Sequence, residues 1–200
     1  MKLHYKGKFN GDVNTLPKNQ ERPNAVMFKE AKSPKIFSIV MNILSVVLLI
    51  PLGLIYFWRC DEKDLNLVFI GAIISLIMMV PHEILHALCC EGEVYLYIYP
   101  KGGSLFVMPF EDMSKKQFVF MSLLPNIVFG FIPFIIFLCF PQLTILGAVG
   151  FVSIPMGVGD YLNVFNAVTQ MPKGAKTYLN GFNSYWYIPN QTANGLNSTK

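Results

Sequence analysis

From Ile36 to Trp58 the chain runs for 23 residues without a charged side chain. As a helix this stretch would measure about 34 Å, enough to cross the hydrocarbon core of a bilayer. Inside lipid every backbone N–H and C=O must find its partner within the protein, so a run of this kind leaves helices as the economical solution. Further apolar runs follow from near Leu65, from Gln117 and from Leu143. Hydrophobic residues make up 53 % of the chain and charged ones 14 %, against about 25 % charged in a soluble domain. The expected molecule is an integral membrane protein of one compact domain.

The pattern reads as an all-α membrane protein with four transmembrane helices, over 36–58, 65–90, 117–140 and 143–169, and a small β-hairpin between spans two and three. The hairpin rests on a change of period. Val94, Leu96 and Ile98 alternate with Tyr95, Tyr97 and Tyr99, Pro100-Lys101-Gly102-Gly103 makes a turn, and Ser104 to Met108 resumes an extended pattern. An interfacial belt of tyrosines is the alternative for that stretch. Only Pro141 and Gln142 separate spans three and four, which predicts a tight helical hairpin. Residues 1–35 read as a polar arm, 36–171 as the membrane domain, and 172–200 as a tail loosely ordered at its end.

Four spans place both termini on one side, and the basic residues indicate which. Fourteen lysines and arginines fall on the side of the termini, against Arg59 and Lys63 opposite, so both ends are expected in the cytoplasm of a multi-pass cell-membrane protein. Two glycosylation triplets, Asn190-Gln191-Thr192 and Asn197-Ser198-Thr199, would then stay unmodified. The net charge of +4 does not suggest nucleic acid, because the basic residues cluster beside apolar spans and are not interleaved with aromatics. Cys60, Cys89, Cys90 and Cys139 show neither ribbon nor redox spacing, and Cys89 and Cys90 read as small buried hydrophobes rather than ligands. The polar, basic start implies no cleavable signal peptide.

The chemistry lies near the end of the second span, in Pro81-His82-Glu83-Ile84-Leu85-His86-Ala87. On a helix His82 and His86 stand at i and i+4 on one face, so both imidazoles can reach one tetrahedral Zn²⁺ while Glu83 leans toward the open position. Ionisable groups at membrane depth are costly unless something binds them. Two histidines are an incomplete set, and a hydrolase keeps a third protein ligand and a position for water.

Asp160 is the candidate third ligand. It is the only acid of span four, and it follows a Gly-Val-Gly stretch that lets helices approach. Counted from the cytoplasmic ends, His86 lies about 8 Å deep, His82 about 14 Å and Asp160 about 17 Å. The alternatives are a purely structural hydrogen bond from Asp160 to Asn126 or Asn163, or ligation by Glu91, Glu93 or His4. Two roles are open to Asn126: a helix–helix hydrogen bond, or contact with a substrate carbonyl or oxyanion.

These residues, with Ser122-Leu123-Leu124-Pro125-Asn126 and Gly159-Asp160, resemble a bacterial family of small multi-span membrane proteins described as putative zincin peptidases, formerly a domain of unknown function. Their pattern is in turn similar to site-2-type intramembrane metalloproteases, although Asp160 here is followed by Tyr161 and not by glycine. The resemblance implies a zinc metalloprotease with one Zn²⁺ per chain, held by His82, His86 and Asp160, with Glu83 catalytic. The expected function is a zinc-dependent membrane endopeptidase that hydrolyses peptide bonds at or within the cytoplasmic leaflet through a metal-activated water. Its partners would be a membrane-embedded or membrane-adjacent peptide and the lipid bilayer. The competing readings are a non-proteolytic metal-binding scaffold or partner subunit, and a small transporter component.

Overall fold

The computed structural model describes residues 1–31 and 33–189. The two glycosylation triplets and the end of the tail lie outside these residues. Among the described residues five helices and seven strands follow one another. Strand β1 is Lys2–Lys8 and β2 is Val26–Met27, followed by helices α1 (Pro34–Arg59) and α2 (Leu67–Leu88). Strands β3 (Glu93–Tyr99), β4 (Ser104–Pro109) and β5 (Met113–Ser114) come next. Helix α3 covers Lys115–Cys139. Helices α4 (Thr144–Met156) and α5 (Val158–Gln170) and strands β6 (Lys176–Asn180) and β7 (Asn183–Tyr187) complete the order.

Three of the helices, α1, α2 and α3, are long and apolar enough to cross a membrane. Their surfaces fit that role. On α2, Phe69, Ile73, Leu76, Ile77, Val80, Ile84 and Leu88 recur every three or four residues and are all exposed, a continuous apolar stripe that water would not tolerate. Local chemistry fixes where the helices begin. Ser33 caps α1 by accepting the Ile36 N–H, with Pro34 in the first turn. Ser114 and Gln117 form a reciprocal capping box on α3.

The expectation of an all-α, four-span protein is overturned on two counts. First, there are two sheets. One has the order β1-β3-β4, with β1 parallel to β3 and β3 antiparallel to β4; the other is antiparallel with the order β2-β7-β6-β5. Beyond the hairpin, β1 and β2 come from the polar arm, β6 and β7 from the tail, and β5 from the residues just before α3. Every residue of β1 except Gly7 is exposed, so the strand shows no apolar alternation and is ordered by backbone pairing with β3.

Second, the stretch read as span four is a pair of short helices bent by 51°. Pro155 lacks the N–H that α4 would use, and Gly157 sits at the bend. The carbonyls at the bend all find donors: Ile154 C=O accepts from the Gly157 N–H at 3.2 Å and the Tyr161 hydroxyl at 3.0 Å, and Pro155 C=O from the Ser45 hydroxyl at 2.8 Å. A related device operates in α3, where Ile127–Phe131 is a π turn just ahead of Pro133.

Within the bundle, Tyr56, Phe134, Phe137, Ala148, Phe151 and Ile154 form the core. Gly71 and Gly150 allow contact so close that a Cβ would overlap Ala148 and the Phe134 backbone respectively. A second core, including Phe28, Val94, Met113, Phe118, Met121 and Ala167, joins the helix ends to the sheets. The N-terminal segment is locked on by Arg22, which donates to both Asp112 oxygens at 3.2 and 3.0 Å while the Tyr187 hydroxyl donates to Asp112 at 2.7 Å.

Candidate metal centre

Three helices meet at one polar point in otherwise apolar surroundings. Helix α2 brings His82, Glu83 and His86; the two imidazole rings have centroids 4.8 Å apart. Helix α5 brings Asp160 in its first turn, placed there by the bend at Gly157. Helix α3 brings Asn126. The Asp160 carboxylate lies between the imidazoles, with Oδ2 3.1 Å from His82 Nε2 and Oδ1 3.2 Å from His86 Nε2. Asn126 Nδ2 donates to Asp160 Oδ2 at 2.8 Å and to the Ser122 carbonyl at 3.0 Å. The bend makes room for this contact, since a Cβ on Gly157 would overlap the Asn126 carboxamide.

The donor set fits a zinc ion. His86 Nδ1 is 2.9 Å from the Met121 carbonyl oxygen. A carbonyl only accepts, so Nδ1 carries a proton, and a neutral ring presents a lone pair at Nε2. That lone pair faces an Asp160 oxygen, and two electron-rich atoms at 3.2 Å need a cation, either a proton on the imidazole or a metal ion between them. Donor atoms around a tetrahedral zinc with bonds of about 2.0–2.2 Å stand about 3.3–3.6 Å apart, close to the spacings found. A second, wider grouping exists, in which the ligand atoms of His82, Glu83 and His86 lie within 4.8 Å of one another. Asp160 thus touches both Nε2 atoms, at 3.1 and 3.2 Å, with Glu83 beside the same pair of imidazoles.

The other residues singled out in the sequence lie elsewhere. His4 and Glu93 face each other at 3.9 Å on the exposed side of the first sheet, and the backbone N–H of Glu91 is bound by Glu111. Cys90 is part of the buried apolar core. Asn126 is 1 % exposed and does not line the cavity described next, so its carboxamide faces Asp160 and not a bound molecule. Two contributors escaped the sequence reading. The Met121 carbonyl is a backbone atom, signalled only by Pro125 four residues later. Gly157 was read only as part of a Gly-Val-Gly stretch that lets helices approach, and its place at a bend against Asn126 was not foreseen.

The centre opens into a cavity of about 500 Å³. Helix α1 contributes Phe37 and Met41 to its wall, β4 contributes Ser104–Pro109, and Phe9, Leu16 and Phe182 close it from the sheet side. Among the described residues no lysine or arginine lines it, and Glu83 and Asp160 are its only carboxylates. A smaller cavity of about 60 Å³, lined by Ser75 and Ser153, also reaches His82 and Glu83 and is large enough for water.

Neither a curated protein nor a solved structure matches the chain. A family model described as "Putative zincin peptidase" matches residues 75–176, a span that includes His82, Glu83, His86, Asn126 and Asp160. Zinc-dependent peptidase chemistry is what that family description implies. With just over half of its length matched, the chain belongs to this zincin peptidase family.

Proposed function

We propose that the protein is a zinc-dependent endopeptidase of the membrane, acting on a membrane-embedded or membrane-adjacent peptide near the cytoplasmic face. The observation that carries this reading is the convergence of His82 and His86 on the Asp160 carboxylate, at 3.1 and 3.2 Å, beside Glu83 at the wall of a largely apolar cavity. His82, His86 and Asp160 are the proposed ligands, one zinc per chain. A bound zinc ion would supply Lewis-acid polarisation of a scissile carbonyl and acidify water. Glu83 takes a proton from the attacking water and returns it to the leaving amine nitrogen, so that one water is consumed and one acyl–nitrogen bond is broken. Asn126 holds the Asp160 carboxylate toward the imidazoles.

The cavity supports the choice of substrate. Its walls are rich in aromatic and methionine side chains and carry no lysine or arginine among the described residues, which suits apolar peptide segments and disfavours charged ones. Strand β4 is an outer strand of its sheet, and an extended peptide could pair along its free side next to Glu83. The three long apolar helices support a membrane location; β2 of the arm pairs with β7 of the tail, which keeps these two segments on one side, and the excess of basic residues in the arm, hairpin and tail supports the cytoplasmic side.

Glu83→Gln tests the reading. The variant is expected to bind zinc as tightly as the unmodified protein while its cleavage of an apolar membrane peptide falls at least about a hundredfold. Unchanged cleavage would remove Glu83 from the reaction. Stoichiometric zinc in a protein that cleaves no such peptide would favour the scaffold reading.

A further inference from the structure

We infer that Pro125 is a positioning residue of the metal centre: it leaves the Met121 carbonyl free to hold His86 by Nδ1–H, so that Nε2 points at the site. The inference rests on the metal-centre reading above and concerns what aims one of its ligands.

In an α-helix each carbonyl accepts the N–H four residues on. The residue four on from Met121 is Pro125, which has no N–H. The Met121 carbonyl is therefore left without its helical partner, in a turn where water cannot replace it. Met121 is 6 % exposed, Ser122 is 0 % exposed, and Pro125 is among the most buried side chains of the chain. A buried carbonyl of this kind demands a donor, and His86 supplies one at 2.9 Å. The arrangement works in both directions. The carbonyl gains its hydrogen bond, and the imidazole is fixed in the tautomer whose Nε2 lies 3.2 Å from Asp160.

The next residue has the complementary task, since Asn126 donates to Asp160 at 2.8 Å. The Pro125-Asn126 dipeptide on α3 thus aims one ligand from α2 and one from α5 without offering a ligand itself. A proline that only kinked its helix would leave the freed carbonyl to any nearby donor; here the donor is a proposed metal ligand.

Zinc affinity of the purified full chain in detergent, measured by chelator competition, tests this on Pro125→Ala, with Pro51→Ala as a comparison because Pro51 is an exposed proline inside α1. In Pro125→Ala the restored N–H competes for the Met121 carbonyl, and zinc binding is expected to weaken about ten- to a hundredfold, while Pro51→Ala binds as the unmodified protein does. Equal affinity in Pro125→Ala, or an equal loss in Pro51→Ala, overturns the inference. If Pro125→Ala does not fold, nitrogen-15 spectra of the histidine rings in the zinc-loaded unmodified protein decide: an Nδ1–H signal with Nε2 on the metal supports the inference, and ligation through Nδ1 of His86 overturns it. An unmodified protein that binds no zinc removes the metal-centre reading itself, whereas tight binding that Pro125→Ala leaves unchanged removes only the role of Pro125.

Discussion

Asn126 places both hydrogens of its carboxamide inside the protein, on Asp160 and on the Ser122 carbonyl, so its contribution is orientation rather than contact with a substrate. Glu30 is the opposite kind of buried polar group. It lies outside the apolar helices and accepts the Ser184 N–H at 3.2 Å, yet burial outweighs that bond and pushes its carboxyl above the usual range. The folded state therefore holds the Glu30 proton more tightly than the unfolded chain does. Stability from this group falls as pH rises from the ordinary carboxyl pKa through the raised folded value, and the deficit persists above it. Glu30→Gln keeps an acceptor and removes the charge. Its melting temperature is expected to exceed that of the unmodified protein at about pH 8, with the gap closing toward about pH 4; a variant that melts lower at pH 8 contradicts this. At this scale the sequence was informative wherever the chemistry lay in side chains. The spacing of His82, Glu83 and His86 is local, and Asp160 stands out as a lone acid in an apolar run. The partner of His86 was hidden because it is a backbone oxygen, visible only through the proline four residues ahead.

At the scale of elements, the bend between α4 and α5 is what brings Asp160 to the imidazoles, and Gly157 is its tightest point. Gly157→Ala sets a methyl group against the Asn126 carboxamide. Overpacking there is expected to cost about 1–3 kcal/mol, lowering the melting temperature and, by moving Asn126 off Asp160, weakening zinc binding. Thermal unfolding with chelator competition checks both, and a variant unchanged in both would show that the contact has no importance. The long helices were legible because lipid imposes a simple rule of length and apolarity on α1, α2 and α3. The strands were not, because β1 is exposed along nearly its whole length and takes its order from a partner some 90 residues away in the sequence. The β6–β7 hairpin did carry a signal in Asn180-Gly181, a turn dipeptide followed by the aromatic strand Asn183–Tyr187. Pro155 and Gly157 were visible inside the last apolar run, but composition alone does not distinguish a kinked span from two half-length helices.

At the scale of the whole molecule, an apolar helical bundle is joined to a polar double-sheet layer through a shared core, and the cavity lies where the two meet. Phe9, Leu16 and Phe182, on the connections beside the strands, close the cavity from the sheet side, and the lock between Arg22 and Asp112 fastens the N-terminal segment that carries two of them. The central claim is that elements distant in sequence, α2 and α5, supply one metal site. Metal analysis of the purified full chain beside His86→Ala and Asp160→Ala tests it most directly. The account predicts one zinc per chain in the unmodified protein and loss of that zinc in both variants; stoichiometric zinc retained by Asp160→Ala would contradict it.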